Sequence, residues 1–196
     1  MAYFVTGATG FIGRFLLVEL LKRDGTIYAL CRASSLDKLD ELRERLGDTE
    51  GRIVPIVGDL GRERLGVSRD DIERLNGQIG HFFHLAAIYD LTADADSQRV
   101  ANVEGTRHAV HLAEAIDAKH FHQVSSIAAA GLYRGTFTED MFDEAQDVAH
   151  NPYYLTKHEA EAVVRNECDV PWRVYRPGAV VGHSETGEID KIDGPY

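Results

Sequence analysis

Residues Thr6-Gly-Ala-Thr-Gly-Phe-Ile-Gly13 narrow what this chain can fold into more than any other segment. They follow Tyr3–Thr6, a short aromatic and β-branched run, and open Gly10–Arg23, which is apolar on most sides. Strand, tight turn and helix are therefore expected in that order. Gly7 permits the turn, Gly10 keeps the backbone bare, and Gly13 lets the helix pack closely on the strand. A helix opening this way presents free N–H groups and the positive end of its dipole, which suits a phosphate.

The same alternation continues along the chain. Tyr3–Thr6, Thr26–Cys31, Arg52–Val57, His81–Ala86, Phe121–Ser125 and Trp172–Arg176 read as strands. Helices are expected between them over Gly10–Arg23, Leu36–Leu46, Arg69–Leu75, Ser97–Ala115 and Tyr153–Glu167. Leu36, Leu39, Leu42 and Leu46 share one helical face, opposite Asp40, Glu41 and Glu44. Ser68 is placed to cap Arg69–Leu75, and Asn151-Pro152 to open the last helix. Alternation of this kind predicts an α/β fold, a Rossmann-type doubly wound parallel sheet with helices on both faces. Pro55 belongs at a sheet edge, where the order 3-2-1-4-5-6 puts strand three.

Composition excludes several function classes. A net charge of −11 at pH 7 disfavours phosphate backbones and anionic lipid surfaces, so no nucleic acid partner is expected. No run of about 18 apolar residues predicts an integral membrane segment. Met1–Gly7 lacks a basic start before a small-residue cleavage site, and two cysteines, Cys31 and Cys168, are too few for a disulfide framework. A cytoplasmic location with reduced thiols is the expectation.

The end of the second strand bears on ligand choice. An acid there would bond both ribose hydroxyls of NAD, but the sequence reads Leu30-Cys31-Arg32-Ala33-Ser34-Ser35. Arg32 offers a guanidinium to a 2′-phosphate instead, so NADP(H) is the expected cofactor. Asp59, in Gly58-Asp59-Leu60, is placed either to accept from an adenine amino group or to cap a helix. Further on, Tyr153 and Lys157 lie four residues apart on one helical face. An ammonium near a phenol favours the phenolate and tunes it for acid–base work, and the same lysine is placed to hold the cofactor ribose. Ser126, at the carboxyl end of strand five, is a candidate hydrogen-bond donor to a substrate carbonyl, with Ser125 its competitor.

Together TGATGFIG, GDL at 58–60, HLAA at 84–87, VSSIAAAG at 124–131, YYLTK at 153–157 and RPGAVVG at 176–182 resemble the extended short-chain dehydrogenase/reductases. The resemblance implies a Ser–Tyr–Lys triad, falling on Ser126, Tyr153 and Lys157, with Asn102 supporting an active-site water network. It implies cofactor contacts at Thr6, Gly7, Thr9, Gly10, Phe11, Ile12, Gly13, Asp59, Leu60, Ala86, Ala87, Pro177, Gly178 and Val180. HLAAIYDLTAD, ANVEGT and the ending GEIDKIDGPY are similar to the fatty acyl-CoA and thioester reductase branch. That similarity implies a small-molecule or acyl-thioester substrate and further C-terminal domains; a homodimer through the helices at 97–115 and 153–167 is a separate expectation. Residues 1–182 are then the NADP(H)-binding domain. Residues 183–196 are the start of a substrate-binding region that this chain largely lacks, so it reads as an N-terminal fragment.

Other chemistries fit less well. His81 and His84 should point to opposite faces of their strand, His120 and His122 lack a third ligand, and no metal site is expected. His108 and His111 sit at helical spacing and, taken to lack nearby acids, read as surface or packing residues. Ser126 has no histidine base in register for a hydrolase. A nucleotide-sugar epimerase would retain NAD, and a cofactor-sensing module would not need the Tyr–Lys pair. The acidic stretch Gly131–His150 reads as a solvated loop.

Overall fold

The computed structural model describes residues 1–87, 98–182, 184, 185 and 187. Six strands form one sheet: β1 (Ala2–Thr6), β2 (Ile27–Cys31), β3 (Ile53–Val57), β4 (Ile79–His84), β5 (Phe121–Val124) and β6 (Trp172–Tyr175). All neighbours are parallel, in the order β3-β2-β1-β4-β5-β6. The doubly wound fold is therefore as the alternating pattern predicts. Pro55 sits in β3, which pairs with β2 alone, so its missing N–H breaks no ladder.

Among the described residues five helices cover the sheet: α1 (Phe11–Leu21), α2 (Leu36–Arg45), α3 (Arg69–Leu75), α4 (Gly105–Ala115) and α5 (Pro152–Glu167). Alternate residues of β1 point to opposite faces, Phe4 into one core and Val5 into the other. On one face Leu17 and Leu20 of α1 and Leu39 and Leu42 of α2 bury against Ile27, Ala29 and Ile53. On the other, residues of α3, α4 and α5 pack over Phe4, Phe82 and Phe121. These three rings stack across β1, β4 and β5, with centroids 4.6 and 5.3 Å apart.

Several boundaries differ from the sequence pattern for local reasons. Strand β4 begins at Ile79 and stops at His84 because the Ala86 N–H donates to the Thr6 side chain instead of continuing the ladder. Strand β5 stops at Val124, and Ser126 turns to cap Ile127–Ala130. The helix start expected at Ser97 lies outside the described residues; from Gln98 the chain is helical and carries a π-turn at Val100–Glu104 before α4. Ser68 and Asn151 cap α3 and α5 as expected, accepting from the Asp71 and Tyr153 amides. Of residues 183–196, only Ser184, Glu185 and Gly187 are described.

The stretch Gly131–His150 is irregular, with Glu139, Asp140, Asp143, Glu144 and Asp147 exposed. It is tied down at Phe142, which is buried and stacks on His158 of α5 at 4.3 Å. A bridge between Gly131 and Gln146 closes its base.

The phenylalanine row at the sheet centre should carry much of the stability. Phe82→Ala is expected to cost about 3–5 kcal/mol, measured by urea denaturation with the slope unchanged. A loss below about 1 kcal/mol, the cost of a surface change, would mean the row is not the core.

Candidate active site

The carboxyl ends of β1, β4, β5 and β6 converge on a cavity of about 650 Å³. Gly7, at φ +72°, turns the chain from β1 into the loop. A Cβ there would lie 2.8 Å from the Ala86 amide nitrogen, so the loop packs backbone to backbone on the end of β4. Gly10 is the N-cap of α1 and provides no side-chain cap, and the first turn contains no acid. The first amides of α1 thus have no side-chain cap, a setting that suits an anion, and Gly10, Phe11, Ile12 and Gly13 line the cavity beside them. Leu85, Ala86 and Ala87 at the exit of β4 and Pro177, Gly178 and Val180 after β6 also line it.

Helix α5 brings two buried polar side chains to the cavity. Tyr153 and Lys157 both line the cavity and both are buried. The Lys157 ammonium lies 5.9 Å from the centre of the Tyr153 ring and donates to the Val124 carbonyl at 3.3 Å. Burial lowers its pKa to about 8. Ser125 and Ser126 also line the cavity, and their surroundings separate them. Ser125 is buried and donates to Glu161 at 3.4 Å. The Ser126 hydroxyl accepts from the Ala128 amide, which leaves its proton free for a carbonyl oxygen.

The remaining expected residues stand elsewhere. Thr6 is buried behind the loop and bonded to His84, while Thr9 is exposed on the loop itself. Arg32 is exposed just beyond β2. Asp59 accepts from the Gly61 amide within its turn, and Leu60 packs beside α4 near Gly105. Asn102 is buried away from the cavity, its amide donating to Thr156 at 3.2 Å.

The cavity has further neighbours. Asn151, Tyr154, Ile127 and Ala128 line it too, within or beside the motifs quoted for other residues. Glu161, fully buried on α5, binds Arg165 at 2.9 Å and Arg176 at 2.5 Å. The absence of an acid near His108 and His111 is corrected by the fold. Glu63 lies 2.9 Å from His111 and 3.9 Å from His108, brought there by the turn that packs on α4. His81 and His84 do face opposite ways: His84 bonds Thr106 of α4, while His81 meets His122 at 3.0 Å. Among the described residues no group of three His, Cys, Asp or Glu side chains is arranged for a metal ion. Nor is any described helix long and apolar enough to cross a membrane.

This geometry can be set beside known proteins. Residues 5–196 match the family described as Male sterility protein, an NAD-binding family. The chain belongs to that family. It is an NAD(P)-binding domain of the extended short-chain dehydrogenase/reductases, in the branch that contains thioester reductases. A linear gramicidin synthase of Brevibacillus parabrevis is 33% identical, matching 98% of this chain and 4% of its own length. A putative fatty acyl-CoA reductase of Drosophila melanogaster is 30% identical, matching 90% of this chain and 43% of its own. The solved terminal R domain of the myxalamid PKS-NRPS pathway superposes with a TM-score of 0.83 at 34% identity, covering 96% of this chain and 52% of that one. The chain thus spans about half or less of these relatives.

Burying the Lys157 ammonium has a measurable cost. Its pKa is about 8 in the fold, against about 10.4 in an unfolded chain. Between these limits the unfolded state binds more protons, so stability rises with pH there. Lys157→Met is expected to stabilise the protein by roughly 2–3 kcal/mol at pH 7 and to flatten that rise. Urea denaturation at pH 7 and 9.5 measures both; a less stable variant with the same pH slope would contradict the assignment.

Proposed function

We propose that this domain serves an NADPH-dependent reductase that acts on a fatty acyl thioester, carried on coenzyme A or on a carrier protein. The observation that carries the reading is Lys157 buried beside Tyr153 in the cavity that the glycine loop opens. The cavity suits a dinucleotide: bare amides of α1 stand at one end and the Tyr–Lys pair at the other. Gly7, Gly10 and Gly13 with Phe11 and Ile12 would hold the pyrophosphate end, and Pro177 to Val180 the nicotinamide end. Arg32 supports NADPH over NADH, because the end of β2 offers a 2′-phosphate a guanidinium and no acid.

The cofactor, when bound, supplies a hydride to the thioester carbonyl carbon. The chain does the rest. Ser126 and Tyr153 hold the carbonyl oxygen and stabilise the charge that develops on it. Tyr153 gives the proton, with the Lys157 ammonium stabilising the phenolate left behind. The thiohemiacetal so formed collapses to an aldehyde and a free thiol. A second round would give the alcohol. Relatives named as a fatty acyl-CoA reductase and as the terminal R domain of a PKS-NRPS pathway support the substrate class.

Two experiments test the reading. NADPH should bind at least tenfold tighter than NADH, about 1.4 kcal/mol, and Arg32→Ala should remove most of that preference; an unchanged ratio rejects the role of Arg32. The intact protein should oxidise NADPH with a long-chain acyl-CoA and release titratable thiol. Tyr153→Phe should lower kcat by roughly two to four orders of magnitude. Conversion of a nucleotide sugar without thiol release from acyl-CoA would overturn the reductase assignment.

A further inference from the structure

Behind the cavity wall runs a line of buried polar side chains that the proposed chemistry does not use. Thr6, His84, Thr106, Asn102 and Thr156 are each no more than 3% exposed. They come from β1, β4, α4 with the π-turn before it, and α5. Their hydrogen bonds form two segments that meet at Asn102. The Ala86 amide donates to Thr6 Oγ1 at 3.2 Å, and Thr6 Oγ1 lies 2.8 Å from His84 Nδ1. His84 Nε2 lies 3.2 Å from Thr106 Oγ1, which donates to the Asn102 carbonyl at 2.7 Å. From the Asn102 side chain, Nδ2 donates to Thr156 Oγ1 at 3.2 Å, and Thr156 Oγ1 donates to the Tyr153 carbonyl at 3.2 Å.

Proton counting fixes the direction of every link. A carbonyl only accepts, so Thr106 spends its one proton on Asn102 and must accept from His84. His84 therefore carries its proton on Nε2, which leaves Nδ1 a bare acceptor. Thr6 accepts from Ala86 and so gives its own proton to His84. The same count on Thr156 orients the Asn102 amide, nitrogen toward the hydroxyl. Nothing in the chain can be reversed without stranding a buried donor, at a cost of about 1–3 kcal/mol. His84 stays neutral in this setting: burial, with the nearby Lys157 charge, lowers its pKa to about 3.

We propose that His84 is a positioning residue, a neutral Nε2–H imidazole that ties the glycine loop and the Ala86 wall to the helix that carries Tyr153. Its neighbours fix the tautomer, and the tautomer fixes the register between α4 and β1. The π-turn at Val100–Glu104 matters because it sets the Asn102 carbonyl and amide at the junction of the two segments. Asn102 acts in this account through its partners on α4 and α5. The proposal rests on the cavity holding an NAD(P) cofactor, and neither on which of the two nor on the substrate.

The test has two arms. The first is two-bond ¹⁵N–¹H spectroscopy at pH 7 on the chain with labelled histidine, the His84 signals assigned by their loss in His84→Gln. The Nε2–H pattern is expected; an Nδ1–H or cationic pattern overturns the proposal. The second arm compares Thr106→Val with Thr106→Ser, at a position outside the cavity, by fluorescence titration with NADPH and NADH in parallel. Thr106→Val should weaken binding of the preferred cofactor roughly tenfold, the scale of a misplaced binding group, and Thr106→Ser should stay within about twofold. A folded Thr106→Val protein that binds like the parent overturns the proposal, and if that variant fails to fold the tautomer still decides. A parent that prefers NADH would reject the role of Arg32 alone, since the ratio between variants stays readable.

Discussion

The carbonyl of Gly7 occupies the space where a side chain at residue 13 would begin, since a Cβ on Gly13 would lie 2.1 Å from it. Helix α1 can approach β1 this closely only because residue 13 has no side chain. That approach sets the start of α1 against the cavity, where amides without a side-chain cap suit an anion. It also brings Gly7 against Ala86, so the end of β4 becomes the second wall. A methyl group at either glycine would push α1 outward. The hydrophobic contacts of Leu17 and Leu20 with the sheet would then be lost along with the phosphate cradle.

At the opposite wall the constraint is electrostatic. Helix α5 buries a cation, Lys157, with a backbone carbonyl as its hydrogen-bond acceptor. One turn further along it buries an anion, Glu161, held by Arg165 and Arg176. The lysine is left under-compensated, and that lowers its pKa. An active site uses such a group, because a charge held in a dry cleft acts strongly on its neighbours. Stability comes from packing elsewhere, the stacked row of Phe4, Phe82 and Phe121 included.

What the sequence revealed and what it hid divide along contact range. The glycine turn, the capping of α3 and α5, the shared face of Tyr153 and Lys157, and Pro55 on an edge strand all depend on residues a few positions apart. Local spacing determines them, so they were legible. Glu63 beside His111 and His84 between Thr6 and Thr106 join residues 22 to 78 positions apart. No period or motif marks such pairs, because the sheet order decides which strand ends become neighbours. The π-turn was hidden for a related reason. It adds one residue to a turn within an otherwise helical pattern, and the hydrophobic spacing of α4 absorbs it. Phe142 shows the same limit in a loop, where one buried ring on His158 anchors a stretch whose composition reads as solvated.

Glu161 explains why the strand ends hold their places around the cavity. Its carboxylate accepts from Arg176 at the exit of β6, from Arg165 one turn along α5, and from Ser125 at the exit of β5. Two guanidiniums and the Ser125 hydroxyl occupy both oxygens of the carboxylate, and the guanidiniums fix the direction of approach, since each presents a rigid planar fork. Such a buried cluster adds little net stability, because desolvation offsets most of the attraction. Its effect is on geometry. Arg176 is followed directly by Pro177 and Gly178, which line the cavity, and Ser125 directly precedes Ser126. Anchoring Arg176 and Ser125 leaves Pro177, Gly178 and Ser126 to line the cavity. Helix α5 thus sets Tyr153 and Lys157 through its own backbone, and both flanking strand exits through one side chain.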